Sequence, residues 1–208
     1  AFILLPPRLR AQTALATVTG FSQPFGLAIT PNSENVYVTN GGQGTVSVIN
    51  TATHTINATV PVGIGPFGVD ITPDGKYAYV TNGGSASVSV INTELNTVTA
   101  TIIVGIGPYG LDISPDGKYV YVANFGTSTV SVISTTLNMV VETIRVGYNP
   151  QGVGVTPNGE YVFITNFAAA TVSVISTATN TVIDTIHVEC GPVDVEFTPD
   201  GDYAYVAN

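Results

Sequence analysis

One pattern returns every 42 residues along this chain, and that period limits the fold more than any other feature. A proline opens the pattern at Pro24, Pro66, Pro108, Pro150 and Pro192. A second stands at Pro31, Pro73, Pro115, Pro157 and Pro199, and an asparagine follows at Asn40, Asn82, Asn124, Asn166 and Asn208. No insertion disturbs the register. Helical solenoids of similar repeat length need an apolar period of about 3.6 residues. No segment here carries one, so each unit must be built from strands.

The unit from Pro66 to Gly107 shows how. PFGVDI reads as an innermost strand, a; TPDGKY is a turn in which Pro presets φ and Gly supplies a positive φ. YAYVT is strand b, NGGSA a loop, SVSVI strand c, NTELNT a polar turn, and VTATIIV an outer strand d. Four short strands in about 40 residues are the mark of a β-propeller blade. In strand c, Val46 and Val48 share one face and Ser47 the other, as do their equivalents, which suits sheets stacked closely face to face. The column Tyr37, Tyr79, Tyr121, Phe163 and Tyr205 on strand b reads as inter-blade core.

Counting gives the ring. Residues 24–65, 66–107, 108–149 and 150–191 are full units, residues 192–208 hold strands a and b, and residues 1–23 align with strands c and d. Ile3, Leu4 and Leu5 fall at the register of Thr45, Val46 and Ser47, and residues 15–19 match the outer strand. The expectation is an all-β, single-domain, five-bladed propeller over residues 1–208. Its blades are four-stranded and antiparallel, and the ring closes when N-terminal strands c and d join C-terminal strands a and b, which also removes free edges. Pro6 and Pro7 would leave that strand c ragged.

VYVTNGGQGTVSVINTATHTI, YVYVANFGTSTVSVISTTLNMV and YVFITNFAAATVSVISTATNTV resemble the YVTN β-propeller repeat family. That resemblance implies a secreted, periplasmic or cell-surface protein of a bacterium or archaeon, some relatives being parts of surface layers. It implies seven blades more often than five. It carries no defined catalytic motif. A group of related lyase propellers relies on His and Glu near the channel, whereas His54 falls in a c–d turn and His187 on an outer strand.

Charge narrows the partners. Five Lys and Arg face fourteen Asp and Glu, a formal net charge of −9. This opposes general binding of nucleic acid and attachment to anionic membrane. No apolar run approaches the ~18 residues of a spanning helix, so no membrane insertion is expected. The apolar run AFILL precedes the basic residues, the wrong order for an intact signal peptide. The single cysteine, Cys190, forbids an intramolecular disulfide and reads as a partly buried thiol.

Two places could hold a site. Alternation along strand a puts Val69 and Ile71 into the blade and Gly68 and Asp70 toward the axis. The same register brings Asp112, Asp194 and Glu196 to the channel. Four convergent carboxylates would raise one another's pKa or recruit a hard cation, with Ca²⁺ the candidate and no cofactor required. The plainer reading is a water-filled channel with acidic walls. The second place is the top face, where Phe25, Phe67 and Tyr109 open strands a, Phe125 and Phe167 follow the strand-ending Asn, and Tyr148 stands in a connecting loop. Aromatics on rigid loops suit a protein or glycan partner, and capping of the blades is the plainer alternative. The expected function is therefore an extracytoplasmic binding or surface-structural module, capable of self-association. A metal-dependent hydrolase or lyase using the channel carboxylates is the alternative.

Overall fold

The computed structural model describes residues 16–208. Four sheets of four antiparallel strands follow one another, then a sheet of two. The first holds β1 (Pro24–Ile29), β2 (Asn35–Asn40), β3 (Thr45–Asn50) and β4 (Thr55–Pro61). The second holds β5 (Pro66–Ile71), β6 (Tyr77–Asn82), β7 (Ser87–Asn92) and β8 (Thr97–Ile103). The third holds β9 (Pro108–Ile113), β10 (Tyr119–Asn124), β11 (Thr129–Ser134) and β12 (Met139–Arg145). The fourth holds β13 (Pro150–Val155), β14 (Tyr161–Asn166), β15 (Thr171–Ser176) and β16 (Thr181–His187). β17 (Asp194–Phe197) and β18 (Ala204–Ala207) pair last. Each sheet is a meander, its strands in sequence order, as the tight turns require. No helix occurs among the described residues, so none is long and apolar enough to cross a membrane.

The a–b turns show why the chain reverses where it does. Thr72 Oγ1 donates to Asp74 Oδ1 (2.7 Å), and the Lys76 N–H donates to the same oxygen (3.0 Å). Gly75 between them takes φ +73°, open to glycine at little cost. The side-chain bonds imitate a backbone turn.

Blades pack through one repeated interface. Tyr37, Val46, Val48 and Val60 of the first sheet meet Val69, Ile71, Val80 and Ile91 of the second. The same register recurs between the second and third sheets and between the third and fourth. The strand c serines are buried too, each taking a bond from a strand-ending asparagine amide, as Asn40 Nδ2 donates to Ser47 Oγ (2.9 Å). Tyr37, Tyr79 and Tyr121 are 1% exposed, and burial pushes their phenols up to about 12, so they remain donors. Tyr37 donates to Asn96 Oδ1 (2.8 Å) and Tyr79 to Asn138 Oδ1 (2.9 Å), each in the next blade. Tyr79→Phe is expected to cost about 1 kcal/mol in urea unfolding, the net value of one such bond plus its orphaned acceptor. An unchanged midpoint would show that the bond adds nothing.

The last column member departs from the sequence expectation. Tyr205 is 66% exposed, because its burial needs the face of a following blade. Leu27 and Ile29 on β1 are each 54% exposed, where Val69 and Ile71 are buried. The expected strand c at residues 3–5 lies outside the described residues. Within residues 16–23 there is a single bridge at Ala16 and no extended strand. Val18 nevertheless packs on Val36, Val38 and Ile49, the place Val60 holds one repeat later.

Candidate functional site

The innermost strands β1, β5, β9, β13 and β17 contribute residues to one cavity of about 540 Å³ at the mouth of the channel. Glycines let these strands meet. A Cβ built on Gly26, Gly68, Gly110 or Gly152 would lie closer than 3.0 Å to the backbone of the next innermost strand. Threonines tie the contact. Thr39 Oγ1 accepts from the Gly26 N–H (2.8 Å) and donates to the Phe67 carbonyl (2.7 Å). Thr81 accepts from Gly68 (2.8 Å) and donates to the Tyr109 carbonyl (2.6 Å). Ala123 interrupts the series, and Thr165 resumes it by accepting from Gly152 (2.7 Å). These clips fix the residues that carry the aromatic rings. The sequence signal was there, a Thr before the strand-ending Asn, but its partner across the blade was not legible.

Phe25, Phe67 and Tyr109 converge at the mouth. Phe25 meets Phe67 edge-on at 5.2 Å and Tyr109 edge-on at 5.3 Å, while Phe67 and Tyr109 stack at 4.6 Å. Such pairs add about 0.5–1.5 kcal/mol each beyond area burial. Phe125 approaches Tyr109 at 6.4 Å. Burial raises the Tyr109 phenol. Phe25 remains 56% exposed, so the cluster presents a ring to solvent. The other two expected aromatics stand apart: Tyr148 is 74% exposed on its loop, and Phe167 lies beside Gly191. Gln151, Val193 and Asp194 line the same cavity.

The four channel carboxylates are divided between two levels. Asp194 shares the register of Gly68, Gly110 and Gly152 at the mouth. Asp70, Asp112 and Glu196 share the register two residues deeper. There Asp70 Oδ1 accepts from the Ile71 N–H (2.7 Å) and Oδ2 from Ile113 N–H (3.2 Å). Asp112 Oδ1 accepts from Ile113 N–H (2.8 Å) and Oδ2 from Val155 N–H (2.7 Å). Each carboxyl thus clips its strand to the next innermost strand. Burial, then the charge of Asp70, push Asp112 up to about 7. Burial also raises Asp70, with the Glu196 charge adding to it. Among the described residues no three His, Cys, Asp or Glu side chains are gathered as a metal would need.

His54 sits in the β3–β4 turn at φ 58°, and His187 ends the outer strand β16. Cys190 is exposed rather than partly buried, because its loop lies outside the blade interfaces.

The model of YNCE-like β-propellers matches residues 12–125, more than half of the sequence. The chain belongs to that family. No curated protein matches it. This YNCE-like propeller is similar to a solved structure of hydrazine synthase from Kuenenia stuttgartiensis, at 31% identity and a TM-score of 0.85. That match covers 91% of this chain and 56% of the other. A functionally unknown protein from Desulfotomaculum acetoxidans DSM 771 shares the fold at 22% identity and a TM-score of 0.79. There the coverage is 89% of this chain and 63% of the other. The YNCE-like chain therefore spans less than two thirds of both structures it matches.

Proposed function

We propose that this chain is a binding module of the YVTN repeat kind, outside the cytoplasm, that holds a protein or glycan partner at the channel mouth. The observation that carries this reading is the cluster of Phe25, Phe67 and Tyr109, set on clipped strands beside a cavity of about 540 Å³. Rigid aromatic surface loses little entropy on binding. Asp70 and Asp112 are occupied by backbone amides, so the reading needs neither a cofactor nor a channel cation. Secretion or display at the surface follows from the YVTN resemblance. We further propose that the ring closes with five blades, the last completed by residues 1–23 as strands c and d, a closure that would cover the faces at Leu27, Ile29 and Tyr205 now exposed. Val18, held where strand d of a preceding blade would sit, supports this.

The test is a panel of cell-wall fragments, glycans and surface peptides, followed by amide shifts and by product analysis. Saturable shifts at Gly68 and Gly110 without turnover are expected, with affinity falling about tenfold or more in Phe67→Leu, the loss of one well-packed aromatic contact. Turnover abolished by Asp70→Asn or Glu196→Gln would replace the module with the hydrolase or lyase.

A further inference from the structure

Resting on that reading of the mouth, we propose that its ligand group is a cation, the guanidinium or ammonium of an Arg or Lys side chain on a partner protein. The formal charge at the cavity is one-sided, Asp194 being the one charged side chain in its lining among the described residues. Three of its four glycine amides are spent, Gly26, Gly68 and Gly152 giving their N–H groups to Thr39, Thr81 and Thr165, and only Gly110, opposite Ala123, keeps a free one among the described residues. The Phe67 and Tyr109 carbonyls are likewise taken by Thr39 and Thr81. What remains is the exposed ring of Phe25, the Tyr109 hydroxyl, the Gln151 amide and the Asp194 carboxylate, which carries the one formal charge. Asp194 Oδ1 accepts from the Val195 N–H (3.0 Å), while Oδ2 has no partner among the described residues.

A sugar hydroxyl carries no charge to pair with Asp194. An anion would meet Asp194. Arg and Lys heads are donors only, and they are drawn to aromatic faces by the ring quadrupole. No basic side chain among the described residues lines the cavity. Lys76 and Lys118 pair with Asp74 and Asp116 in the a–b turns, away from the mouth. Arg145 ends the outer strand β12. The net charge of −9 would steer a basic partner toward the molecule.

The experiment titrates the full chain with three small probes while following the amides of Gly26, Gly68, Gly110 and Gly152. The probes are the peptide Gly-Arg-Gly with blocked ends, its norleucine counterpart, and a neutral methyl glycoside. The arginine peptide is expected to saturate these shifts. Asp194→Asn and Phe25→Leu should each weaken it by about tenfold, the second variant keeping apolar volume while removing the π face. Equal shifts from the norleucine peptide or the glycoside, unaffected by Asp194→Asn, would overturn the cation and leave the binding face standing. Silence from all three probes would remove both. Methylguanidinium binding as tightly as the arginine peptide would show a free organic cation in place of a protein side chain.

Discussion

Gly110→Ala is expected to destabilise the protein by about 3 kcal/mol, lowering the melting midpoint by roughly 6–12 °C for a chain of this size. The added methyl would fall on the Gln151 carbonyl, with the Gln151 carbon and Gly152 Cα next nearest. All three are backbone atoms of the next innermost strand, so no rotamer change relieves the overlap. β9 and β13 would have to separate, stretching the Asp112 Oδ2 to Val155 bond. Gly41→Ala is the control. Its methyl would meet nothing nearer than 3.4 Å, and a change within about 0.5 kcal/mol is expected. Equal effects at the two sites would mean that the innermost strands are not in the close contact described.

The second large effect is an inverted pH dependence. An Asp held at about 7 in the folded chain binds its proton more tightly there than in the unfolded chain, where it titrates at 3.8. Stability from Asp112 is therefore fully present below about 3.8 and is lost as pH rises to about 7. Acidifying from pH 8 to pH 5 should raise the midpoint, by about 6–12 °C if the coupled pair is worth on the order of 3 kcal/mol. The opposite linkage applies to Asp116, lowered to about 2 by Ser114 and Lys118, whose contribution fades only below about 3.8. General relief of the −9 charge works in the same direction as Asp112. Asp112→Asn separates the two, because it should flatten the midpoint between pH 4 and pH 7 while leaving the slope outside that window. A midpoint that climbs with pH across the window, or a variant with the parent slope, would remove the carboxyl pair as the cause.

Much of this architecture was legible in the 42-residue period. β5 spans the residues of PFGVDI, and the alternation correctly turned Val69 and Ile71 into the blade, because register and side-chain direction are both local. Phe25, Phe67 and Tyr109 converge because strand a openings are brought to one axis by that same register. Tyr148 and Phe167 missed the cluster because a loop's direction is not fixed by the strand alternation. Of the four acids, Asp194 occupies a different level from Asp70, Asp112 and Glu196. The bonds of Asp70 and Asp112 to amides of the next strand depend on an interstrand approach that sequence does not display. Tyr205 shows the same limit: a position can match its column and still lack the face that buries it.

The blade contact has a longer consequence. Every clip runs only to the adjoining blade, from Thr39 to Phe67, Thr81 to Tyr109, Tyr37 to Asn96 and Tyr79 to Asn138. Interactions of this nearest-neighbour kind make each joint depend on its two blades alone. A gene encoding such units can therefore be lengthened or shortened by whole 42-residue copies that keep the same contacts at each joint, the angle between blades adjusting where the ring closes. Blade number becomes a quantity that recombination can change, while the mouth of the channel diversifies one residue at a time.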